Sequence, residues 1–185
     1  LKIFQTLNKI ENKTKNLCKK NLNIFEKEDG SSCTDFDLIS DDILKTNLPK
    51  YLLEKKKRKK IYYFSEESIK CYNERKKWEY YWSVDPLDGT SNYINNKSCY
   101  SINIALIYKN KPVLGFIYLP YYKFLIYNDV KKTYFIDGFP ENIKNLNILN
   151  KIEDNEFITF IIKEYYGKYL KKVDEFDISA LDSIL

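Results

Sequence analysis

The sequence predicts a mixed α/β fold in which helices and strands form layers. Helical and strand-like patterns alternate in the first part of the chain, and strands cluster later. With 44% hydrophobic and 31% charged residues, the chain of 185 residues can bury a core, which excludes a disordered protein. No apolar run approaches the roughly 18 residues that a membrane span needs. We therefore expect one folded unit that has no membrane partner.

Two helices are predicted before residue 60. Residues 1–20 carry apolar side chains at helical spacing, which predicts an amphipathic helix. A short extended piece at residues 23–27 and a turn-rich stretch follow. Thr34 then suits the N-cap of a second helix, and a last helix is predicted at residues 177–185. The buried stripe of the second helix comprises Phe36, Ile39, Ile43, Leu44 and Leu48.

Strand patterns predominate after residue 60. The first of these strands stops at Glu66 and Glu67, and the second is closed by Asp85 and Pro86. Two later strands are joined by a short hairpin loop at residues 109–111. The predicted strands are residues 61–64, 80–84, 101–108, 113–119, 123–128, 134–136 and 157–162.

The side-chain inventory limits the chemistry. The absence of His excludes histidine triads, histidine metal ligands and histidine general bases. The four Cys residues are widely spaced, which indicates reduced thiols of a cytoplasmic protein rather than a disulfide framework or a zinc site. The absence of Met indicates that the chain is not a complete translation product.

The net charge of +5 does not predict nucleic-acid binding. Among 31 basic residues only Arg58 and Arg75 are arginine, the side chain that makes bidentate contacts with bases. We therefore expect no nucleic-acid polymer as a partner. The basic run at residues 55–60 is either a solvated loop or a nuclear-localisation or polyanion-binding segment.

The strongest candidate site is the hexapeptide DPLDGT at residues 85–90. Pro86 is expected to end the strand, so that Asp85 leaves its edge and Asp88 lies just before a helix. The two carboxylates and the Leu87 carbonyl would then converge as hard oxygen ligands for Mg²⁺ or a similar ion. Asp-Pro and Asp-Gly pairs also mark ordinary turns, which is the alternative explanation.

The residues after Asp88 predict an anion site. Gly89 lets the backbone approach a ligand closely, and the N–H groups of Gly89, Thr90 and Ser91 begin a helix. A divalent metal ion beside a phosphate cradle is a layout for phosphoryl transfer.

The acidic pair Glu66 and Glu67 is the second candidate. Adjacent carboxylates repel each other unless a cation lies near them. Alone, the pair would suit a solvated strand end. Because a second strand ends in acids about twenty residues later, the pair is interpreted as a further source of metal ligands.

The segment at residues 80–122 resembles the lithium-sensitive, magnesium-dependent phosphatases of the inositol monophosphatase superfamily. Within that superfamily it is most similar to the 3'(2'),5'-bisphosphate nucleotidases, through the blocks WSVDPLDGT, NIALI and KPVLGFIYLP. Upstream, residues 27–37 are similar to the family block KxDxSxxTxAD, and residues 64–68 to LSEE. Residues 175–180 are similar to EWDxAA, so the resemblance spans residues 24–185.

The resemblance implies a layered αβαβα sandwich. It also implies a phosphatase with two or three Mg²⁺ ions that hydrolyses the 3'-phosphate of adenosine 3',5'-bisphosphate to AMP and phosphate, with a metal-activated water as the attacking group. The expected partner is a small phosphorylated substrate. Members of the family often dimerise, which allows a homodimer here.

The resemblance further implies a role for each matching residue. Asp37 and Thr90 would be catalytic and would polarise and orient the attacking water. The backbone N–H groups of Gly89, Thr90 and Ser91 would hold the scissile phosphate. The metal ligands would be Glu66, Asp85, the Leu87 carbonyl, Asp88 and Asp177.

Two alternatives stay open. The tripeptide at residues 91–93 is nearer the Thr-Asn-Phe of inositol monophosphatases, which favours an inositol phosphate as the substrate. The stretch between Asp88 and Asp177 is shorter than the family expects, which favours a family member that binds a phosphate ligand without turnover. We expect residues 1–185 to form a single catalytic unit, with residues 1–130 as its N-terminal metal-binding half and residues 131–185 as an incomplete C-terminal half.

Overall fold

The computed structural model describes residues 2–17, 22–53, 60–129, 133–139 and 150–152. Within these ranges it has four helices and nine strands, so the mixed α/β prediction is confirmed. None of these helices is both long and apolar enough to cross a membrane. The elements are α1 (Lys2–Thr14), β1 (Ile24–Glu26), β2 (Ser32–Thr34), α2 (Asp35–Leu53), β3 (Tyr62–Ser65), α3 (Tyr72–Arg75), β4 (Tyr80–Asp88), α4 (Thr90–Ile94), β5 (Ser101–Tyr108), β6 (Lys111–Leu119), β7 (Phe124–Asp129), β8 (Thr133–Asp137) and β9 (Asn150–Ile152).

Seven strands form one sheet in the order β3-β4-β5-β6-β7-β8-β9, and β1 and β2 form a separate hairpin. The strands β3 and β4 run parallel, whereas the other neighbouring pairs of these nine strands run antiparallel. Parallel strands end at the same edge of a sheet. The acidic residues that follow β3 and those at the end of β4 are therefore delivered to one edge.

The strand predicted at residues 61–64 matches β3 to within two residues. The four strands predicted between residues 101 and 136 match β5, β6, β7 and β8 equally well. Lys109 and Asn110 form the turn between β5 and β6 with positive φ values of 49° and 61°. Two such residues in succession are typical of the tight turn whose twist matches a hairpin. The predicted loop is confirmed, although Lys111 already belongs to β6.

The prediction that Pro86 ends its strand is wrong. Strand β4 continues to Asp88, and its register against β5 shifts between Asp85, which faces Asn103, and Asp88, which faces Ser101. Pro86 and Leu87 of β4 therefore lie opposite the single residue Ile102 of β5, as in a β-bulge. Proline is tolerated at a bulge because no ladder hydrogen bond needs its missing N–H group. Asp88 still lies just before the short helix α4, as predicted.

The two long helices follow the predicted pattern with one difference in length. Helix α1 ends at Thr14 rather than near residue 20. Helix α2 begins after Thr34, whose Oγ1 accepts a 3.2 Å hydrogen bond from the Phe36 N–H group, as expected of an N-cap. The short elements β2, α3 and β9 were not predicted. The strand predicted at residues 157–162 and the helix predicted at 177–185 lie outside the described residues.

The main core lies between the two long helices and the sheet. Its helical contribution includes Leu7 and Ile10 of α1 and Leu44 and Leu48 of α2, all of them inaccessible to solvent. Trp82 of β4 packs in this core and donates a 3.0 Å hydrogen bond from its indole Nε1 to the Leu48 carbonyl. This bond ties the strand that carries Asp85 to helix α2.

We predict that Trp82→Phe lowers the free energy of unfolding by about 2 kcal/mol, because it leaves both a cavity and a buried carbonyl without its indole partner. The measurement is urea unfolding followed by circular dichroism. Trp78→Phe is the control, since Trp78 is half-buried and stacks on Tyr62 at 4.5 Å, a contact that phenylalanine can keep. Equal losses in the two variants would contradict the special position of Trp82.

Candidate functional site

The candidate site lies where β3 and β4 end. Ser65 of β3 faces Val84 of β4, and the N–H group of Glu66 donates a 3.2 Å hydrogen bond to the Val84 carbonyl. Glu66 therefore emerges level with Asp85. The sequence placed these acids on two separate strand ends, and the parallel pairing brings those ends side by side.

The electrostatics of Asp85 show how crowded this edge is with negative charge. Burial is the largest cause that raises the pKa of the Asp85 carboxyl, and the charges of Asp88 and Glu66 raise it further, to about 7. A 3.1 Å hydrogen bond from the Leu87 N–H group to Asp85 Oδ1 opposes this shift. A buried carboxylate surrounded by like charge gains most from a nearby cation.

Asp37 and Thr90 meet at the edge of this acidic group, although 53 residues separate them. Asp37 lies in the first turn of α2 and is 1% exposed. Its Oδ2 accepts hydrogen bonds of 2.8 Å from the Thr34 N–H group and 2.6 Å from the Thr34 hydroxyl. Its Oδ1 lies 2.9 Å from Thr90 Oγ1, which is also 3.0 Å from the Leu87 carbonyl oxygen. The single Thr90 hydroxyl proton can be donated to either acceptor.

Burial raises the pKa of the Asp37 carboxyl, and its hydrogen bonds from Thr34 and Thr90 lower it without cancelling the effect. The carboxyl is thus a stronger base than an exposed aspartate would be. Because both of its oxygens are bonded, its orientation is fixed.

Gly89 shapes the start of α4. Its φ value is +82°, and a Cβ atom built there would lie 2.8 Å from the Cys99 carbonyl oxygen. That carbonyl accepts a 2.7 Å hydrogen bond from Asn92 Nδ2, which fixes α4 against the chain before β5. The first N–H groups of a helix lack partners within it. Those of Thr90 and Ser91 are therefore available to donate hydrogen bonds outside α4.

Two polar side chains of β5, which sequence reasoning missed, approach Asp88. The Asn103 Nδ2 atom lies 3.3 Å and the Ser101 Oγ atom 3.5 Å from Asp88 Oδ2. Ser101 and Asn103 alternate with Ile102 and Ile104 in an otherwise apolar strand. That alternation places both polar residues on one face of β5 and could have indicated them from the sequence.

Lys27 provides the cation that the adjacent pair Glu66 and Glu67 requires. Its Nζ atom lies 2.7 Å from an oxygen of each carboxylate. Burial alone would lower the pKa of Lys27, but the two glutamates outweigh burial and raise it. Lys27 belonged to a recognised sequence block, yet no role was assigned to it from the sequence.

Cys33 also lies in this region, although the widely spaced cysteines were not expected to form a zinc site. One ligand atom each of Cys33, Asp37 and Glu67 lie within 4.8 Å of one another, a spacing that could hold a metal ion. Burial raises the pKa of the Cys33 thiol to about 12, with further contributions from the charges of Asp37 and Glu67. Among the described residues Asp85 and Asp88 belong to no such group of three, although the charge of Asp88 contributes to the raised pKa of Asp85. Asp177 lies outside the described residues, and its role stays a prediction.

Comparison with known proteins identifies a family and a fold. The model of the inositol monophosphatase family matches residues 3–159. The chain is similar to the 3'(2'),5'-bisphosphate nucleotidase CysQ of Salmonella typhimurium, with 46% identity over 63 residues, which are 34% of this chain and 26% of that protein. It is 36% identical over 102 residues to CysQ of Haemophilus influenzae, covering 55% of this chain and 36% of that protein. The chain thus spans well under half the length of these relatives.

Among solved structures, CysQ from Bacteroides thetaiotaomicron, a bacterial member of the inositol monophosphatase family, has a similar fold. It superposes with a TM-score of 0.56 at 21% identity, over 90% of this chain and 65% of that chain. At this identity the similarity shows the fold alone. The predicted sandwich of the inositol monophosphatase type is thereby confirmed.

We predict that Asp85→Asn stabilises the metal-free protein at neutral pH. An unfolded aspartate titrates near 3.8 and the folded one near 7, so the folded state holds its proton longer and loses stability as the pH rises from 4 to 7. Asn cannot ionise and removes that loss, which is on the order of 1.4 kcal/mol for each pKa unit. The measurement is the unfolding free energy against pH in the presence of a chelator.

The matched control for this prediction is Asp42→Asn, which removes the same charge from an exposed position of α2. A pH dependence between 4 and 7 that is unchanged in Asp85→Asn would contradict the electrostatic description of this edge.

Proposed function

Because the chain belongs to the inositol monophosphatase family, we propose that it is a metal-dependent phosphatase that hydrolyses the 3'-phosphate of adenosine 3',5'-bisphosphate to AMP and phosphate. The nucleotide substrate is supported by the relatives named 3'(2'),5'-bisphosphate nucleotidase. The observation that carries the reaction class is the 2.9 Å contact between Asp37 and Thr90 beside the crowded carboxylates.

The donor set at this edge fits a hard divalent ion such as Mg²⁺. Carboxylate and carbonyl oxygens are its preferred ligands, and the raised pKa of Asp85 reflects burial and then repulsion by Asp88 and Glu66, which such a charge would offset. When bound, two or three Mg²⁺ ions would acidify the attacking water and offset charge on the phosphate. The residues proposed to hold them are Glu66, Asp85, the Leu87 carbonyl, Asp88 and Asp177.

Asp37 and Thr90 would orient the attacking water. With its proton donated to Asp37 Oδ1, the Thr90 hydroxyl has lone pairs free to accept a hydrogen bond from water. Asp37 in turn is fixed by the two hydrogen bonds from Thr34. The pair would thus set the direction of attack, and the raised pKa of Asp37 suits it to favour removal of the water proton.

The start of α4 would bind the scissile phosphate. Backbone N–H groups at a helix start donate hydrogen bonds to anions. Those of Gly89, Thr90 and Ser91 lie next to the Asp37–Thr90 pair along the chain. Because Gly89 has no Cβ atom and tolerates a positive φ, the backbone of this turn can pack closely against the Cys99 carbonyl.

The alternative of an inositol phosphate substrate has a weaker basis in the structure than in the sequence. It was suggested by the tripeptide at residues 91–93. The Asn92 side-chain amide donates a hydrogen bond to the Cys99 carbonyl, and Tyr93 is buried against Phe36 with ring centroids 5.0 Å apart. Two of the three residues are thus explained by packing of α4. The non-catalytic alternative is left to experiment.

A small phosphorylated substrate is the proposed partner, and a homodimer is compatible with the family. A cytoplasmic location accords with Cys33, Cys71 and Cys99, which form no disulfide in the part of the chain that the structure describes.

We predict that the protein releases phosphate and AMP from adenosine 3',5'-bisphosphate at millimolar Mg²⁺, and that lithium inhibits the release. Inositol 1-phosphate, tested in parallel, should be hydrolysed more slowly. Faster hydrolysis of inositol 1-phosphate would favour the inositol monophosphatase alternative. Mg²⁺ binding without turnover of either compound in the full-length protein would favour the non-catalytic alternative.

We further predict that Asp37→Asn lowers kcat by about a hundredfold or more while leaving the affinity for Mn²⁺ nearly unchanged, because it removes the base that Thr90 faces but no proposed metal ligand. Asp35→Asn, two residues earlier on α2, removes an equal charge that bonds Asn23 instead, and it should keep full activity. A loss of metal affinity equal to the loss of kcat would place Asp37 among the metal ligands.

A further inference from the structure

A buried polar network lies directly behind the Glu66–Glu67 turn. Asp41 of α2 is 8% exposed, and its Oδ1 accepts hydrogen bonds of 2.7 Å from the Tyr63 hydroxyl and 2.5 Å from the Ser65 hydroxyl. Ser65 is the last residue of β3 and is inaccessible to solvent. Two donors on one strand thus converge on a single oxygen of the helix.

The network continues into the turn that carries the acids. Ser65 and Ser68 are joined by a 2.8 Å contact between their hydroxyl oxygens and by a 3.2 Å hydrogen bond from the Ser68 N–H group to the Ser65 carbonyl. Glu66 and Glu67 therefore occupy a turn closed by backbone and by side chains. Asp41 connects this turn to helix α2, in addition to the contacts that Lys27 and the Val84 carbonyl make with the turn.

Helix α2 thereby contacts both acidic chain segments from one face. Asp37 and Asp41 are four residues apart, which places them one above the other on the helix. Asp37 contacts Thr90 just after β4, and Asp41 contacts Ser65 at the end of β3. The helix thus fixes the spacing between the Glu66 turn and the segment of Asp85.

The spacing matters because Ser65 lies opposite Val84, which brings Glu66 beside Asp85. Two carboxylates held at one edge repel each other when no cation lies near them. Glu66 itself is exposed and bonded to Lys27, and its N–H group is bonded to the Val84 carbonyl. The hydrogen bond from Ser65 to Asp41 holds the residue just before it.

We propose that Asp41 is a positioning residue that holds Glu66 in register with Asp85 for metal binding, acting through Ser65. Asp41 touches neither the substrate nor the metal in this role. The inference rests on the proposed metal-dependent function, and it adds to that function a side chain of α2 that sets metal affinity. Removing a partner that orients a metal ligand typically weakens metal binding by 10- to 100-fold.

The test measures Mn²⁺ binding by electron paramagnetic resonance, with the melting temperature of the metal-free protein recorded in parallel. Asp41→Leu, which removes the acceptor, should weaken Mn²⁺ binding about tenfold or more. Asp41→Asn keeps an acceptor at Oδ1 and should bind within about threefold of the wild-type protein, since the orientation of the turn is kept. Asp42→Leu, next to it on the exposed face of α2, is the control and should bind as the wild type does.

A folded Asp41→Leu that binds Mn²⁺ as tightly as the wild type, even with a lower melting temperature, would overturn the inference, because Asp41 would then serve stability alone. If Asp41→Leu does not fold, Ser65→Ala replaces it, since it removes the link between Asp41 and the turn and should weaken binding likewise; unchanged binding in that variant would also overturn the inference. A wild-type protein that binds Mn²⁺ but releases no phosphate contradicts the phosphatase function and leaves the role of Asp41 intact.

Discussion

Repulsion among carboxylates at the shared edge of β3 and β4 is the constraint on which the rest of the site depends. The parallel pairing brings Glu66 level with Asp85, and burial and like charge raise the pKa of Asp85 to about 7. Because these carboxylates repel each other, other contacts in the fold must keep them close together. Lys27 provides one counter-charge, and a divalent cation would provide the remainder.

Helix α2 contacts both chain segments that carry these carboxylates and also packs in the core. Its inner face packs Leu44 and Leu48 into the core, and the Leu48 carbonyl is bonded to Trp82 of β4. On the same helix, Asp37 contacts Thr90 just after β4, and Asp41 contacts Ser65 at the end of β3. The helix therefore connects the two chain segments that carry the acids. The hydrophobic core and the polar site are therefore coupled, because a shift of α2 in the core would move both contacts at once.

Sequence reasoning recovered most of this fold because its signals are local. Thr34 as the cap of α2 and the hairpin at Lys109 and Asn110 depend on short stretches of chain, and both were predicted. The continuation of β4 through Pro86 was not, since a bulge depends on the partner strand, which supplies one residue opposite two. The short strand β2 was not predicted either, since its three residues are defined by their pairing with β1.

The candidate site divides in the same way. The motif residues, including Asp37 and Thr90, could be named because they match a family pattern, although their 2.9 Å contact spans 53 residues and needed the structure. Lys27, Cys33 and Asp41 gained their significance only from contacts made across the fold.

The measurement that tests the shared cation most directly is anomalous diffraction from crystals of the protein soaked in Mn²⁺. We expect a peak within about 2.6 Å of carboxylate oxygens of Asp85 and Asp88. No peak, or a peak confined to Cys33, Asp37 and Glu67, would contradict a metal site at the end of β4.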